Sequence, residues 1–134
     1  MGRLFFHTMV RMGFSSERCT HLIDTSERVS AFVASYFFSR MYEISTKNDG
    51  SEVTTVDVDA ENLAKECILS AFPEDGFLGE EHGEVKGQNE FRWVVDPIDG
   101  TTSFARGVPL FGTMIGLEQE GKPIAGAVYM PAMQ

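Results

Sequence analysis

The stretch from Trp93 to Phe104 constrains the fold more than any other part of the chain. An apolar run from Phe91 to Val95 is typical of a buried strand, and it leads directly into Asp96. Pro97 then fixes a backbone angle, and Asp99-Gly100 places a second carboxylate beside a residue that allows close backbone approach. The pattern predicts two carboxylates that flank one tight turn at the end of a strand.

Three hydroxyl residues follow this turn, namely Thr101, Thr102 and Ser103. They are natural N-cap residues, so the sequence predicts a helix or helical turn whose free N–H groups point back toward the carboxylates. Carboxylates that hold hard cations, beside N–H groups that hold an anion, are the parts of a metal-dependent phosphate site. Asp-Pro and Asp-Gly are also ordinary turn dipeptides, so the segment alone indicates a turn and a helix more often than a site.

Composition excludes several classes of function. A net charge of −9 over 134 residues argues against nucleic-acid binding and against a polybasic contact with membranes, and no apolar stretch has the length of a membrane span. The two cysteines form no C-x-x-C motif, which favours a reduced, cytoplasmic setting over a disulfide scaffold. An acidic chain repels phosphate esters unless bound cations reverse the local field. A phosphate ligand would therefore require metal.

The N-terminal part predicts one long helix after an extension. Residues 1–24 are interpreted as an extension or a start-site artefact, because Met9 and Met12 are alternative starts. Thr25 or Ser26 is predicted to cap a helix that runs to about Arg40, since apolar residues recur there at helical spacing.

A second, amphipathic helix is predicted to begin at Asp57, its N-cap, and to end before Pro73. Glu61 is assigned to the polar face of this helix, opposite the apolar residues. Lys47 precedes it in an Asn-Asp-Gly turn and is interpreted as a solvated loop lysine. From the residues alone, a plain helix cap is favoured for Asp57 over a role in a site, because the N-cap position prefers aspartate whatever the function.

Acidic residues also follow the short strand predicted at Phe77-Leu78, where the chain continues as Gly79-Glu80-Glu81-His82-Gly83. Such a loop is usually a solvated turn, and its histidine is more often a surface or capping residue than a ligand. If this strand neighbours the strand at 91–95, however, Glu80 and Glu81 converge with Asp96 and Asp99. Carboxylates brought together in this way repel one another unless cations lie among them. Two later apolar runs, at 110–117 and 123–130, predict a hairpin.

Three segments, in this order, resemble the N-terminal half of the inositol monophosphatase family of Mg²⁺-dependent, lithium-sensitive phosphatases. They are Lys47–Glu61, Phe77–His82 and Trp93–Phe104, and the resemblance covers residues 25–134. It implies an α/β fold (α+β layered) with helices packed on a mostly antiparallel sheet. Residues 109–115 and 126–131 resemble the histidinol-phosphatase branch of that family more than its animal inositol enzymes.

The resemblance implies a metal-binding role for each acidic strand end. Glu80, Asp96 and the Ile98 carbonyl would bind one Mg²⁺, while Asp96 and Asp99 would bind a second. Magnesium prefers oxygen ligands and is commonly held by a few carboxylates together with water and substrate phosphate, which agrees with this assignment.

The resemblance also implies the residues that handle the substrate. Gly100, Thr101 and Thr102 would bind the phosphate, Thr101 and Asp57 would orient the attacking water, and Glu80 would help to remove its proton. The implied reaction is hydrolysis of a small-molecule phosphate ester, such as an inositol phosphate or histidinol phosphate. It would proceed by in-line displacement, without a covalent phospho-enzyme.

One departure from the family is large. Its members carry a later W-D-x-A-G segment, whereas the single tryptophan here is Trp93, so the second Mg²⁺ site is expected to be incomplete. Residues 25–134 are accordingly interpreted as the truncated, metal-binding portion of a phosphatase domain. The alternative is a catalytically incomplete fragment that only binds Mg²⁺ and phosphate. A homodimer is also expected, since the family tends to dimerise.

Overall fold

A computed structural model describes residues 16–133 as a layered arrangement of helices and strands. This range contains two long helices, one short helix and seven strands. The elements are α1 Ser16–Ser39, β1 Ile44–Thr46, β2 Glu52–Thr54, α2 Thr55–Ala71, β3 Gly76–Gly79, β4 Gly83–Val85, β5 Phe91–Asp99, α3 Thr101–Ala105, β6 Gly112–Gln119 and β7 Lys122–Tyr129.

Five of the strands form one sheet in the order β4-β3-β5-β6-β7, and β1 and β2 form a separate antiparallel pair. All neighbours in the large sheet are antiparallel except β3 and β5, which are parallel with Gly79 opposite Val95. The predicted hairpin is β6 and β7, joined by a turn in which Glu120 and Gly121 both have positive φ. The mostly antiparallel sheet confirms the predicted fold class.

Helices α1 and α2 pack against each other and against the sheet. Alternate residues of β5 are buried toward the helices, because side chains of a strand point to opposite faces in turn. The core that results is apolar and continuous, and its members include Leu22, Val29, Val33, Phe37, Ala60, Ala64, Ile68, Trp93, Val95, Phe104, Phe111 and Ile115. Among the described helices, none combines the length and hydropathy required to cross a membrane.

Helix α1 includes residues that the sequence assigned to an extension. The N-cap predicted at Thr25 or Ser26 is wrong, because both residues are buried inside the helix. The Ser26 hydroxyl donates a 2.7 Å hydrogen bond to the Leu22 carbonyl, which is how serine is accommodated within a helix. Residues 16–24 therefore form the first part of α1, and residues 1–15 of the predicted extension lie outside the described range.

A buried carboxylate ties α1 to the sheet. Asp75 accepts hydrogen bonds from the Arg18 guanidinium at 2.9 and 2.8 Å and from the Trp93 indole at 2.8 Å. The Asn89 amide donates a further bond of 2.7 Å to the same side chain. Burial by itself raises the pKa of Asp75, but these donors outweigh it and hold the pKa below its usual value of 3.8. The network anchors α1 to the residue directly before β3, whereas Glu80 follows the opposite end of that strand.

Strand β5 is longer than predicted. The sequence indicated a strand ending at Val95 and a turn from Pro97, whereas the strand continues to Asp99. Its pairing with β6 shifts register between Asp96 and Asp99, and the Thr113 hydroxyl donates a 2.9 Å hydrogen bond to the Pro97 carbonyl within this irregular stretch. The irregularity accommodates a proline, which cannot donate to the ladder.

Candidate metal and phosphate site

The parallel pairing of β3 and β5 places two acidic residues at one edge of the sheet. Gly79 lies opposite Val95, and each is followed directly by a carboxylate, Glu80 and Asp96. Burial raises the pKa of Asp96 to about 7, and the negative charges of Glu80 and Asp99 contribute in the same direction. The predicted convergence of Glu80 and Asp96 is therefore observed.

The Asp96 carboxylate lacks a partner for one of its oxygens. Oδ1 is buried and has no hydrogen-bond partner within residues 16–133. Buried polar atoms are normally paired, so an unpaired carboxylate oxygen beside two further acids fits a bound cation. Within residues 16–133, no three acidic, histidine or cysteine side chains are grouped closely enough to form a complete set of metal ligands.

Asp57 lies within helix α2 rather than at its cap, so the N-cap prediction is wrong. The N-cap is Thr54, and Asp57 is the third helical residue of a capping box. Its Oδ2 accepts hydrogen bonds from the Thr54 backbone N–H at 2.8 Å and from the Thr54 hydroxyl at 2.6 Å. Its Oδ1 accepts a 2.8 Å hydrogen bond from the Thr101 hydroxyl. Asp57 is therefore both a helix-start residue and a contact of the predicted site.

Short helix α3 begins without a side-chain cap. Gly100 is its N-cap with φ +97°, so Thr101, Thr102 and Ser103 do not cap it as predicted. A side chain at Gly100 would be strained, and its Cβ would lie 3.2 Å from the Leu110 carbonyl oxygen. The Thr101 hydroxyl instead faces Asp57 and lies 3.2 Å from the Ile98 carbonyl, whereas Thr102 is exposed.

Lys47 contacts the acidic loop, so its interpretation as a solvated loop lysine is wrong. Its Nζ lies 2.7 Å from Glu81 Oε1 and 3.7 Å from Glu80 Oε1, and 27% of its side chain is exposed. The hydrogen bond to Glu81 is the largest cause of a raised Lys47 pKa, and it outweighs the opposing effect of burial. The partners are 34 residues apart in sequence, so no local pattern signals this contact.

Glu61 is a further residue that sequence reasoning missed. It was assigned to the polar face of α2, yet it is completely buried. Its Oε2 accepts a 2.7 Å hydrogen bond from the Glu81 backbone N–H, and its Oε1 accepts a 2.9 Å bond from the His82 N–H. The His82 imidazole lies 3.1 Å from the same Oε1. The four-residue spacing from Asp57 was the available signal, because it places both acids on one helix face.

Comparison with known proteins connects this geometry to a family. Residues 16–134 match the inositol monophosphatase family. A histidinol-phosphatase of Chlorobaculum parvum is 41% identical over 111 residues, covering 83% of this chain and 43% of the relative. An inositol-1-monophosphatase of Mesorhizobium japonicum is 45% identical over 92 residues, covering 68% of this chain and 35% of the relative.

Solved structures are similar over the same part of the chain. The extragenic suppressor protein suhB from Bartonella henselae superimposes with a TM-score of 0.82 at 31% identity, covering 87% of this chain and 46% of that protein. A Thermotoga maritima IMPase superimposes with a TM-score of 0.79 at 27% identity, covering 87% of this chain and 45% of that protein. The chain thus spans less than half the length of each relative named here.

Proposed function

Because the chain belongs to the inositol monophosphatase family, we propose that it carries the metal- and phosphate-binding part of a Mg²⁺-dependent phosphomonoesterase. The observation that carries this proposal is the placement of Asp96 within β5, directly after the last residue that pairs with β3. Its carboxylate has a buried oxygen without a partner and faces the charges of Glu80 and Asp99. Like charges held together in this way favour a divalent cation between them.

The proposed metal ligands are the Glu80, Asp96 and Asp99 carboxylates and the Ile98 carbonyl. Mg²⁺ bound there would lower the pKa of a coordinated water and offset charge on the phosphate. These are hard oxygen donors of the type that Mg²⁺ prefers, and their small number leaves room for water and a phosphate oxygen. The second site that we propose, between Asp96 and Asp99, has fewer protein donors than the first.

Asp57 and Thr101 would orient the attacking water. The Thr101 hydroxyl donates its hydrogen to Asp57 Oδ1 at 2.8 Å, so its lone pairs are left to accept a hydrogen from a water molecule. Glu80 is 53% exposed at its side chain and can accept the proton that this water loses. The backbone N–H groups of Gly100, Thr101 and Thr102 would donate to the phosphate, because the first N–H groups of a helix lack partners inside it.

The proposed substrate is a phosphate monoester of a small molecule. Relatives named histidinol-phosphatase and inositol-1-monophosphatase are similarly close to this chain, so both esters are candidates. A second candidate function is binding of Mg²⁺ and phosphate without turnover. Binding alone needs only the oxygen donors and N–H groups named above, and not the pair that would orient the attacking water. A homodimer and a cytoplasmic location stay predictions.

A phosphate-release assay tests this proposal. The chain is incubated with histidinol phosphate or inositol 1-phosphate, with and without Mg²⁺ and Li⁺, beside Asp96→Asn and the control Asp75→Asn. Release that requires Mg²⁺, falls with Li⁺ and is lost in Asp96→Asn supports the phosphatase. Calorimetric Mg²⁺ binding that is lost in Asp96→Asn, without hydrolysis by any form, supports the binding function. Absence of Mg²⁺ binding to the folded chain contradicts both.

A further inference from the structure

A buried carboxylate on α2 holds the loop that carries Glu80. Glu61 is completely buried, and each of its two oxygens accepts a backbone N–H, from Glu81 and from His82. We infer that Glu61 is a positioning residue that holds Glu80 in the orientation required for metal binding. The inference rests on the proposed function, since it concerns the same metal site.

The hydrogen bonds of Glu61 act on the peptide next to Glu80. The Glu81 N–H belongs to the planar peptide unit that joins Glu80 to Glu81, so the 2.7 Å bond from this N–H fixes the direction of that plane. The 2.9 Å bond from the His82 N–H fixes the following peptide in the same way. Two consecutive peptide planes are therefore held by one carboxylate, and the backbone from which the Glu80 side chain projects has little freedom.

Such restraint is needed because the acidic residues repel one another. The charge of Glu80 faces the partly buried Asp96 carboxylate, and 53% of the Glu80 side chain is exposed. When both carboxylates are ionised and no cation lies between them, a mobile loop would let Glu80 move away from Asp96 into solvent, since repulsion is weaker at larger separation. Holding the loop in place maintains the pair of carboxylates before the metal arrives and reduces the ordering cost of binding.

The chain leaves space for Glu61 at Gly79. A Cβ built on Gly79 would overlap the Glu61 carboxylate, so any larger residue there would displace the Glu61 side chain. Gly79 is the last residue of β3 and directly precedes Glu80. Because Gly79 has no side chain, the Glu61 carboxylate can reach the backbone of the Glu80 loop. The positioning role of Glu61 therefore depends on Gly79.

Asp57 and Glu61 perform parallel tasks from the same helix. They lie four residues apart on the buried face of α2, and each reaches a different segment of the site. Asp57 contacts the Thr101 side chain, whereas Glu61 contacts backbone N–H groups of the Glu80 loop. Helix α2 thus sets the separation between the phosphate-binding segment and the metal-binding loop.

The first test is Mg²⁺ binding by Glu61→Gln. An amide has one acceptor oxygen, and its NH₂ group would face an N–H donor, so one peptide of the loop would be released. We expect the Mg²⁺ dissociation constant, measured by calorimetry, to rise roughly 10- to 100-fold, as found when partners that orient metal ligands are lost. Gly79→Ala should give a similar change because it displaces the same carboxylate.

Two matched variants separate positioning from general stability. Asp75→Asn removes another buried carboxylate, which lies before β3 and whose hydrogen-bond partners are outside this loop. It should lower the melting temperature without changing the Mg²⁺ dissociation constant of the folded protein. His82→Ala removes the imidazole contact but keeps the backbone N–H bonds, so its dissociation constant should stay within about twofold of wild type. An equal effect of His82→Ala and Glu61→Gln would overturn the assignment to the backbone bonds.

Amide hydrogen exchange supplies a readout that needs neither metal nor turnover. In the metal-free wild-type protein, the Glu81 and His82 amides should exchange slowly, and in Glu61→Gln they should exchange faster while core amides of β5 are unchanged. Wild-type exchange at these amides as fast as at the exposed Gly83, or a Glu61→Gln variant that binds Mg²⁺ like wild type, would overturn the inference. If wild type fails to bind Mg²⁺ but the amides are protected, the proposed function fails and the holding role of Glu61 stands.

Discussion

The Thr101 hydroxyl donates a 2.8 Å hydrogen bond to Asp57 Oδ1 across 44 residues of sequence. This bond joins the first turn of α2 to the first residue of α3. Oδ1 is available to accept it, since both donors of Thr54 bind the other oxygen, Oδ2. One carboxylate therefore stabilises the start of a helix and sets the direction of a hydroxyl in the proposed site.

The first prediction is that Asp57→Asn reverses this hydrogen bond. When the oxygen of the new amide accepts from Thr54, its NH₂ group faces Thr101, whose hydroxyl then donates to the Ile98 carbonyl 3.2 Å away. Because the amide then occupies a Thr101 lone pair, kcat should fall by roughly 10²-fold or more. The amide oxygen that still accepts from Thr54 keeps the capping box, so stability should change by less than about 1 kcal/mol.

Phosphate-release kinetics and urea unfolding check both expected changes. Thr101→Ser retains the hydroxyl and serves as the control, so it should keep most of the activity. An Asp57→Asn variant with wild-type kcat would contradict the proposed role of the pair.

The second prediction concerns Asp96→Asn in the absence of metal. The substitution removes a charge that is partly buried and faces Glu80 and Asp99, so the metal-free protein should become more stable while Mg²⁺ binding is lost. The melting temperature should rise by a few degrees without Mg²⁺, about the shift expected from 1 kcal/mol in a domain of this size.

Differential scanning calorimetry with and without Mg²⁺ measures this effect. Wild type should gain stability on adding Mg²⁺ in proportion to the logarithm of the ligand concentration over its dissociation constant, whereas Asp96→Asn should gain none. Asp59→Asn, which changes an exposed acid on α2, is the matched control. A lower melting temperature for metal-free Asp96→Asn would show that the three acids do not oppose folding.

The convergence of Glu80 and Asp96 could be predicted because it follows from local pattern and one topological assumption. Each acid directly follows an apolar run, and the parallel pairing of the two runs brings both acids to one side of the sheet. The hairpin of β6 and β7 could be predicted equally well, since two apolar runs flank a glycine-containing turn. Such features depend on residues close together in sequence.

The burial of Glu61 and the contact of Lys47 could not be predicted in the same way. Acidic residues are rarely fully buried, so Glu61 was placed with the other charges of α2, although it shares the helix face of Asp57 and Ala60. Its burial depends on two N–H groups 20 and 21 residues away. The first turns of α1 were missed because buried hydroxyl residues inside a helix resemble caps until their back-bonding is seen.

The third prediction is that the Asp75 network stabilises the protein in a pH-dependent way. Asp75 is buried with four donated hydrogen bonds, and an asparagine side chain at this position could accept fewer of them. Asp75→Asn should reduce the free energy of unfolding by about 3 kcal/mol near neutral pH, a typical cost of breaking a buried ion pair. Because Arg18 retains 18% exposure, water can compensate part of its loss.

The sign of the pH dependence follows from the lowered pKa of Asp75. A carboxyl group with a lowered folded-state pKa contributes stability above its usual value of 3.8 and loses it as pH falls through the folded-state pKa. The difference in unfolding free energy between wild type and Asp75→Asn should therefore be constant near neutral pH. It should shrink as the pH falls below the usual carboxyl pKa of 3.8. Urea midpoints across this range measure it, and a difference that grows in acid would contradict the assignment.

The fourth prediction is that Lys47 promotes phosphate binding. Its ammonium group lies 2.7 Å from Glu81 and 3.7 Å from the proposed metal ligand Glu80. In an acidic protein, a cation beside this ligand reduces the repulsion that a phosphate ester meets. Lys47→Gln should therefore raise KM, or the dissociation constant of inorganic phosphate, by roughly tenfold, the equivalent of one charge-assisted hydrogen bond.

Lys122→Gln supplies the matched comparison for this prediction. It changes the net charge by the same amount at an exposed position at the start of β7, so any effect of overall charge appears in both variants. Stability should change by less than about 1 kcal/mol in either, because partly exposed ion pairs contribute little. If both variants raise KM equally, the effect of Lys47 comes from net charge alone, and its position beside Glu80 and Glu81 has no special role in binding.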